Sequence, residues 1–248
     1  MGKRIIAGIL TKDSDRTIGK CLDSLIKHVQ PKKIIIVDGG SHDETLSIAR
    51  LYDTEIYIAS SLNLGAARKR LLQLISDSGY EYSVMVDSDV FIKPNFLQVI
   101  QQYKDADVIE GRVEEIGMSK GRISAPLTAK RGYTFCVFLN RKAAKTGAIS
   151  TIDQFDFLED HALKRAIQQA GLSWIRAKEP IGLHDSITVR GNSLSIVFKE
   201  GVYYGKLRYE PWWKIIGATP LFLQRQGIRG AIKHMILGIG CLKGRILE

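Results

Sequence analysis

The chain has 248 residues, of which 45% are apolar, 25% charged and 8% aromatic. That is enough to bury one sizeable core or two small ones, and too apolar for a disordered chain. The three cysteines, Cys21, Cys136 and Cys241, are odd in number and far apart. This excludes a disulfide framework and a CxxC zinc site and fits a reducing compartment. A formal charge of +10 favours an anionic partner, whether phosphate, nucleic acid or an acidic membrane face.

At the N-terminus, Lys3-Arg4 precede an apolar run too short for a signal-peptide core, and Ile6 stands where a myristoylation signal needs Ser or Thr. No uncharged stretch approaches the roughly 18 residues of a bilayer span, so the chain is expected to be soluble or surface-bound. Residues 5–10 read as a buried strand. Residues 17–28 follow as a helix with Ile18, Cys21, Leu22, Leu25 and Ile26 on one face. Residues 33–37 form a second strand, after which Ser41 and Glu44 are spaced as a capping box for a helix through Leu51. The rhythm continues with strands at 55–58, 82–86 and 108–109 and helices at 64–75 and 95–102. Alternation of this kind predicts a parallel sheet covered on both faces.

Beyond residue 112, 114–132 is polar and Gly-interrupted and reads as a loop or substrate cover. A strand at 133–139, a helix at 159–170 and short strands at 173–177 and 181–184 complete the first part. Ligands of such sheets bind beyond the carboxyl ends of the strands. Three of those ends carry oxygen or charge: Thr11-Lys12-Asp13, Asp38-Gly39-Gly40-Ser41 and Asp87-Ser88-Asp89. Two carboxylates two residues apart repel each other unless neutralised, and Mg²⁺ or Mn²⁺ with bound phosphates neutralises them; alone, the same tripeptide is a solvated turn. Asp38 reads either as a nucleotide contact, with Gly39-Gly40 admitting the ligand, or as part of an ordinary turn capped by Ser41. Arg68 lies one turn into a helix whose N-terminus favours anions and could reach a diphosphate. Lys69 and Arg70 fit a solvated face.

These residues in this order resemble family 2 glycosyltransferases of the GT-A fold over roughly residues 4–185. The resemblance runs through the opening strand, Cys21-Leu22-Asp23-Ser24-Leu25, the stretch from Ile36 to Thr45, Asn63-Leu64-Gly65-Ala66-Ala67-Arg68 and Asp87-Ser88-Asp89. It implies metal-dependent, inverting transfer of a sugar from a GDP- or UDP-sugar. By position, Thr11 and Asp38 would contact the nucleoside and Arg68 the base or diphosphate, while Asp87 would face the ribose or the metal. Asp89 would ligate Mn²⁺ or Mg²⁺, with His184 as a further ligand. Asp160, with Glu159 as competitor, would be the general base that the acceptor oxygen requires. Alternatively, that acidic pair simply complements a helix dipole. The chain departs from the family at Thr11-Lys12-Asp13, where many relatives carry Asn and an acid.

The implied architecture is an α/β, GT-A-type domain over residues 1–190, its mostly parallel central sheet flanked by helices, with acceptor-side helices and a C-terminal amphipathic extension over 191–248. From Pro211 onward six Lys or Arg face a single acid. Ile228, Ile232, Met235, Ile236, Ile239, Leu242 and Ile246 follow helical spacing behind Trp212-Trp213. A basic amphipathic segment of this kind suits an anionic bilayer surface, or else packs on the domain or on another copy. The membrane reading implies a lipid-linked acceptor whose phosphates Arg190, Lys199, Lys206 and Arg208 approach, with 193–205 as an acceptor-side helix. It also implies a peripheral place on the cytoplasmic membrane face. The alternative within the family is a soluble glycosyltransferase with a saccharide or small-molecule acceptor, and a degenerate transferase acting only as a binding module is opposed by the intact Asp87, Asp89 and Asp160. Two rivals outside the family are weaker. A nucleotidyltransferase needs a Gly-rich basic loop after the first strand, and a nucleic-acid binder needs aromatics interleaved with cations on one surface; no nucleic-acid partner is expected.

Overall fold

The computed structural model describes residues 4–116, 136–155, 159–185, 198, 201–202, 215–216 and 219–246. The elements in chain order are β1 (Ile5–Thr11), α1 (Ile18–His28), β2 (Lys33–Asp38), α2 (Thr45–Ala49), β3 (Glu55–Ile58), α3 (Leu64–Asp77), β4 (Tyr82–Asp87), β5 (Val90–Ile92), α4 (Phe96–Gln102), β6 (Val108–Ile116), β7 (Cys136–Asn140), α5 (Arg141–Ile149), a 3₁₀ turn (Ile152–Gln154), α6 (Glu159–Gln169), β8 (Trp174–Asp185) and α7 (Thr219–Ile246).

The strands form an eight-stranded sheet in the order β3-β2-β1-β4-β7-β6-β8-β5. β3, β2, β1 and β4 run parallel, and β6 pairs parallel with β8. β7 is antiparallel to both neighbours and β5 is antiparallel to β8. β1 is buried along its whole length and its side chains alternate between two cores. Ile5, Ala7 and Ile9 pack with α1 and α4, whereas Ile6 and Leu10 pack with α3, α5 and α6. Burial on both faces is what a continuous apolar run records.

Four expectations are corrected. Ser41 does not cap α2; its hydroxyl goes to Asp38 and the helix starts at Thr45 behind Glu44. The sheet is mostly parallel, as the implied architecture has it, but not wholly so, because β7 returns against β4. The segment from Glu114 begins as strand, since β6 runs to Ile116 and pairs with β8 throughout. The two short strands after Gly171 are one strand, β8. The rest of the polar segment, residues 133–135, Leu158, Arg190, Lys199, Lys206, Arg208, Trp212-Trp213 and most of 193–205 lie outside the described residues.

Asp107 clips three segments together. It accepts hydrogen bonds from the Ser173 N–H (2.9 Å), the Ser173 hydroxyl (3.0 Å) and the Asn140 side-chain amide (2.8 Å). These bonds, the Ser173 N–H foremost, hold its carboxyl below the ordinary Asp value. Asp107→Ala is expected to cost about 1 kcal/mol at about pH 7, discounted for solvent exposure. A carboxyl with a lowered native pKa stabilises the fold fully above its unfolded value of about 4, and this is lost as pH falls through the native pKa. Urea melts of both proteins should therefore differ at about pH 7 and converge as pH falls through the lowered native pKa of Asp107.

Candidate active site

The pairing register sets the strand ends level: Thr11 lies opposite Asp38, and Leu10 opposite Asp87. A cavity of about 690 Å³ opens above these ends. Its lining includes Thr11, Arg68, Asp87, Asp89, Glu159 and Asp160. Six of the lining residues are Asp or Glu and three are Lys or Arg. The sequence-predicted residues from β1, β4, α3 and α6 therefore do converge, despite separations of up to 149 positions in the chain, from Thr11 to Asp160.

Two predicted residues, Asp38 and His184, do not line the cavity. The Asp38 side chain is fully buried and turned into its own loop. Oδ2 accepts the N–H groups of Gly40 and Ser41 (2.8 Å each), and Oδ1 accepts the Ser41 hydroxyl. The Ser41 hydroxyl oxygen in turn accepts the N–H of Asp13 (2.9 Å), so the Asp38 carboxylate holds two loops together and does not line the cavity. Gly39 lines the cavity in its place. Gly40 has a φ of +82°, which favours glycine there.

Thr11 is buried, and its hydroxyl oxygen has no hydrogen-bond partner among the described residues. A buried polar atom at a cavity wall with nothing to bond is expensive unless a ligand supplies the bond.

Arg68 is held by the protein itself. Its Nε and Nη2 lie 3.0 and 2.9 Å from Glu159 Oε1, and Nη2 lies 3.6 Å from Asp87 Oδ1. Burial works against the Arg68 charge, but Glu159, Asp87 and Asp160 outweigh it and raise the pKa. Glu159 is equally buried; desolvation raises its pKa although Arg68 opposes the rise. This pairing is possible because α3 approaches the 3₁₀ turn closely. The Gly65 N–H donates to Phe155 O at 3.0 Å, and a Cβ at Gly65 would strike the carbonyl oxygens of Ile152 and Phe155.

Asp87 and Asp89 face different partners. The Asp87 carboxyl is pushed up to about 7, by desolvation and by Asp89, Glu159 and Asp160, against the pull of Arg68. Asp89 Oδ2 lies 3.3 Å from His184 Nε2, a pair delivered by β5 and β8, where Val90 is in register with His184. Among the described residues, no three His, Cys, Asp or Glu side chains gather into a ready-made metal cage. The donor set nevertheless fits a divalent cation. Asp89 lines a cavity with surplus negative charge, and the buried His184 imidazole lies behind it at 3.3 Å; a cation held by the pair would leave coordination positions for phosphate and water.

Sequence reasoning missed the seams between the loops. The Ser14 and Ser88 hydroxyls are 2.9 Å apart, which presses the loop after β1 against the acidic turn. Arg16 Nη1 lies 3.0 Å from Asp185 Oδ2, and the Asp185 N–H donates to Asp89 O at 2.9 Å. Adjacency to His184 was the one signal for Asp185, and nothing in the local pattern marked Arg16.

Comparison with known proteins follows the same lines. The chain is 31% identical over 125 residues to the glycosyltransferase GlyG of Streptococcus pneumoniae serotype 4, an alignment covering 48% of this chain and 40% of that protein. It therefore spans less than half the length of this curated relative. Residues 1–349 of S. aureus TarS superpose with a TM-score of 0.58 at 15% identity, covering 98% of this chain and 72% of that one. A structure of the same TarS fragment in complex with UDP-GlcNAc gives 0.58 at 18% identity, covering 94% and 70%. Glucosyl-3-phosphoglycerate synthase from Mycobacterium tuberculosis, in complex with Mn²⁺, UDP and phosphoglyceric acid, gives 0.55 at 16% identity, covering 80% and 74%. At these identities the structural likeness carries the fold, which is GT-A. The model of the family described as glycosyl transferase family 2 matches residues 7–157, more than half of the chain, and the chain belongs to that family.

Proposed function

We propose that the chain transfers a sugar from a nucleoside-diphosphate sugar to an acceptor oxygen, with inversion at the anomeric carbon and with Mn²⁺ or Mg²⁺ held by Asp89 and His184. The observation that carries this reading is the single cavity into which β1, the turn after β4 and the start of α6 deliver Thr11, Asp87, Asp89 and Asp160. A cation bound there would offset charge on the departing diphosphate. The Thr11 hydroxyl is placed to bond the donor. Arg68 keeps Asp87 and Glu159 in position, and Asp38 holds the neighbouring loop rather than the nucleoside. With Glu159 committed to Arg68, Asp160 is the carboxylate left to take the acceptor proton; it is only partly buried and lines the cavity. UDP is the first donor nucleotide to try, because structural neighbours were crystallised with UDP and UDP-GlcNAc; GDP is the second. Hydrolysis of a nucleotide-sugar panel with Mn²⁺ or Mg²⁺ tests the reading, and no metal-stimulated hydrolysis of any donor would overturn it. The nucleic-acid alternative is disfavoured by a cavity lined by more acids than cations.

The acceptor in this reading is lipid-linked, a polyprenyl phosphate or a lipid-carried saccharide, met on the cytoplasmic membrane face. Support comes from α7, whose outer face exposes Ile228, Ile232, Met235, Ile239 and Ile246. Its sequence holds five cations and no acid. That charge matches an anionic bilayer and would repel a second copy of the same helix. Among the described residues, no helix is long and apolar enough to cross a membrane. Full-length protein is expected to float with anionic vesicles, and a variant carrying Ile232→Gln and Ile239→Gln is expected to stay behind. Equal flotation of the two would remove α7 as the contact.

A further inference from the structure

We infer that Arg16 binds the diphosphate of the donor on the side of the cavity lined by Asp89. This rests on the donor reading above. Cations line the cavity at Lys12, Arg16 and Arg68. Arg68 is buried and already neutralised by Glu159 and Asp87, so it has little charge to offer an incoming anion. The stem of Lys12 lies across Gly39, at the β2 end of the cavity. Arg16 is different on both counts. Its side chain is 43% exposed, and Nη1 reaches Asp185 Oδ2, beside His184. The Ser14–Ser88 contact fixes its loop against the turn that carries Asp87 and Asp89.

A guanidinium has five N–H donors in a fixed fork, and the bond to Asp185 leaves a fork edge for phosphate oxygens. Asp185 is almost buried, with 8% of its side chain exposed, and its N–H is bonded to Asp89 O, so it is a fixed base from which Arg16 extends. As the glycosidic C–O bond breaks, its electron pair stays with the diphosphate, and the growing charge falls where Arg16 stands. One guanidinium nitrogen is tied to the nearly buried Asp185 while the rest of the group stays exposed at the cavity, a geometry suited to ligand contact.

Isothermal titration of the full chain with UDP, GDP, UMP and GMP in Mn²⁺ tests the assignment. Arg16→Ala is expected to weaken binding of the accepted diphosphate about 10- to 100-fold and the matching monophosphate by no more than about twofold. Arg16→Lys should fall between, because it keeps charge and loses the fork. Asp185→Asn should stay within about threefold of wild type. Three results overturn the inference: equal losses for diphosphate and monophosphate, no loss in Arg16→Ala, or an Asp185→Asn loss as large as that of Arg16→Ala, which would make Arg16 only a loop tie. If the wild-type chain binds neither diphosphate, the donor reading itself falls and the Arg16 assignment with it.

Discussion

Asp160→Asn is expected to lower kcat by about 10²- to 10⁴-fold while leaving the affinity for UDP and Mn²⁺ unchanged. The amide is isosteric and its oxygen still accepts the His161 N–H, which the carboxylate holds at 2.8 Å. Stability should change by no more than about 1 kcal/mol, the worth of a carboxylate in the first turn of a helix. The neighbouring acid behaves in the opposite way. Glu159→Gln keeps an oxygen that can accept from Arg68 but removes the charge that compensates the buried guanidinium, leaving only Asp87 at 3.6 Å to do so, and is expected to destabilise the fold by about 3 to 5 kcal/mol. Single-turnover kinetics beside thermal melts separate the two roles. Wild-type transfer by Asp160→Asn would reject it as the base.

Asp89→Ala is expected to abolish both metal-dependent donor binding and turnover, a loss of about 10³-fold or more, because a bound cation supplies several kcal/mol to a departing diphosphate. His184→Ala should weaken Mn²⁺ in the same direction, since the two side chains face each other at 3.3 Å. Asp87→Asn should behave differently. Asp87 faces Arg68, so its loss should disturb the Arg68–Glu159 pairing as well as the donor. Titration of donor and Mn²⁺ into the three variants measures this. Unchanged metal-dependent affinity in Asp89→Ala would take Asp89 out of the site.

Those parts of the fold that write themselves as long apolar runs could be read in the sequence. β1 and β2 are buried on both faces, and α1 carries one large apolar face, so their patterns are unambiguous. The convergence of Thr11 and Asp87 followed from the rule about strand ends, whereas Asp160, in the first turn of a helix, was implied only by the family resemblance. Other elements hide for physical reasons. α5 buries Ala143, Ala144, Gly147 and Ala148, residues too small to mark a hydrophobic face, and its start is set by Asn140 accepting the Ala143 N–H. β8 reads as two pieces because Lys178, Glu179 and Pro180 interrupt its apolar run.

Side-chain direction is hidden more deeply still. Asp38 looked like a ligand contact because it ends a strand before two glycines, yet the N–H groups of that same turn capture its carboxylate. Arg68 sits in a run of cations, and only the fold reveals that it alone of the three is buried while Glu159 waits 91 positions later. The glycines of α7 also have a packing reason. Gly240 abuts the backbone of Phe198 and Gly201, and Gly238 abuts Ile216, so a Cβ at either would collide.

Asp89 and His184 would hold the divalent cation of the proposed reaction, and that cation would offset charge on the donor diphosphate. Electron spin-echo spectroscopy of the full chain with Mn²⁺ and UDP tests both contacts. The expected spectrum carries a nitrogen modulation from an imidazole ligand and a phosphorus coupling from the diphosphate, with the nitrogen signal lost in His184→Ala and the phosphorus signal lost in Asp89→Ala. Mn²⁺ bound with UDP but coupled to neither nucleus, or signals identical in wild type and both variants, would contradict it.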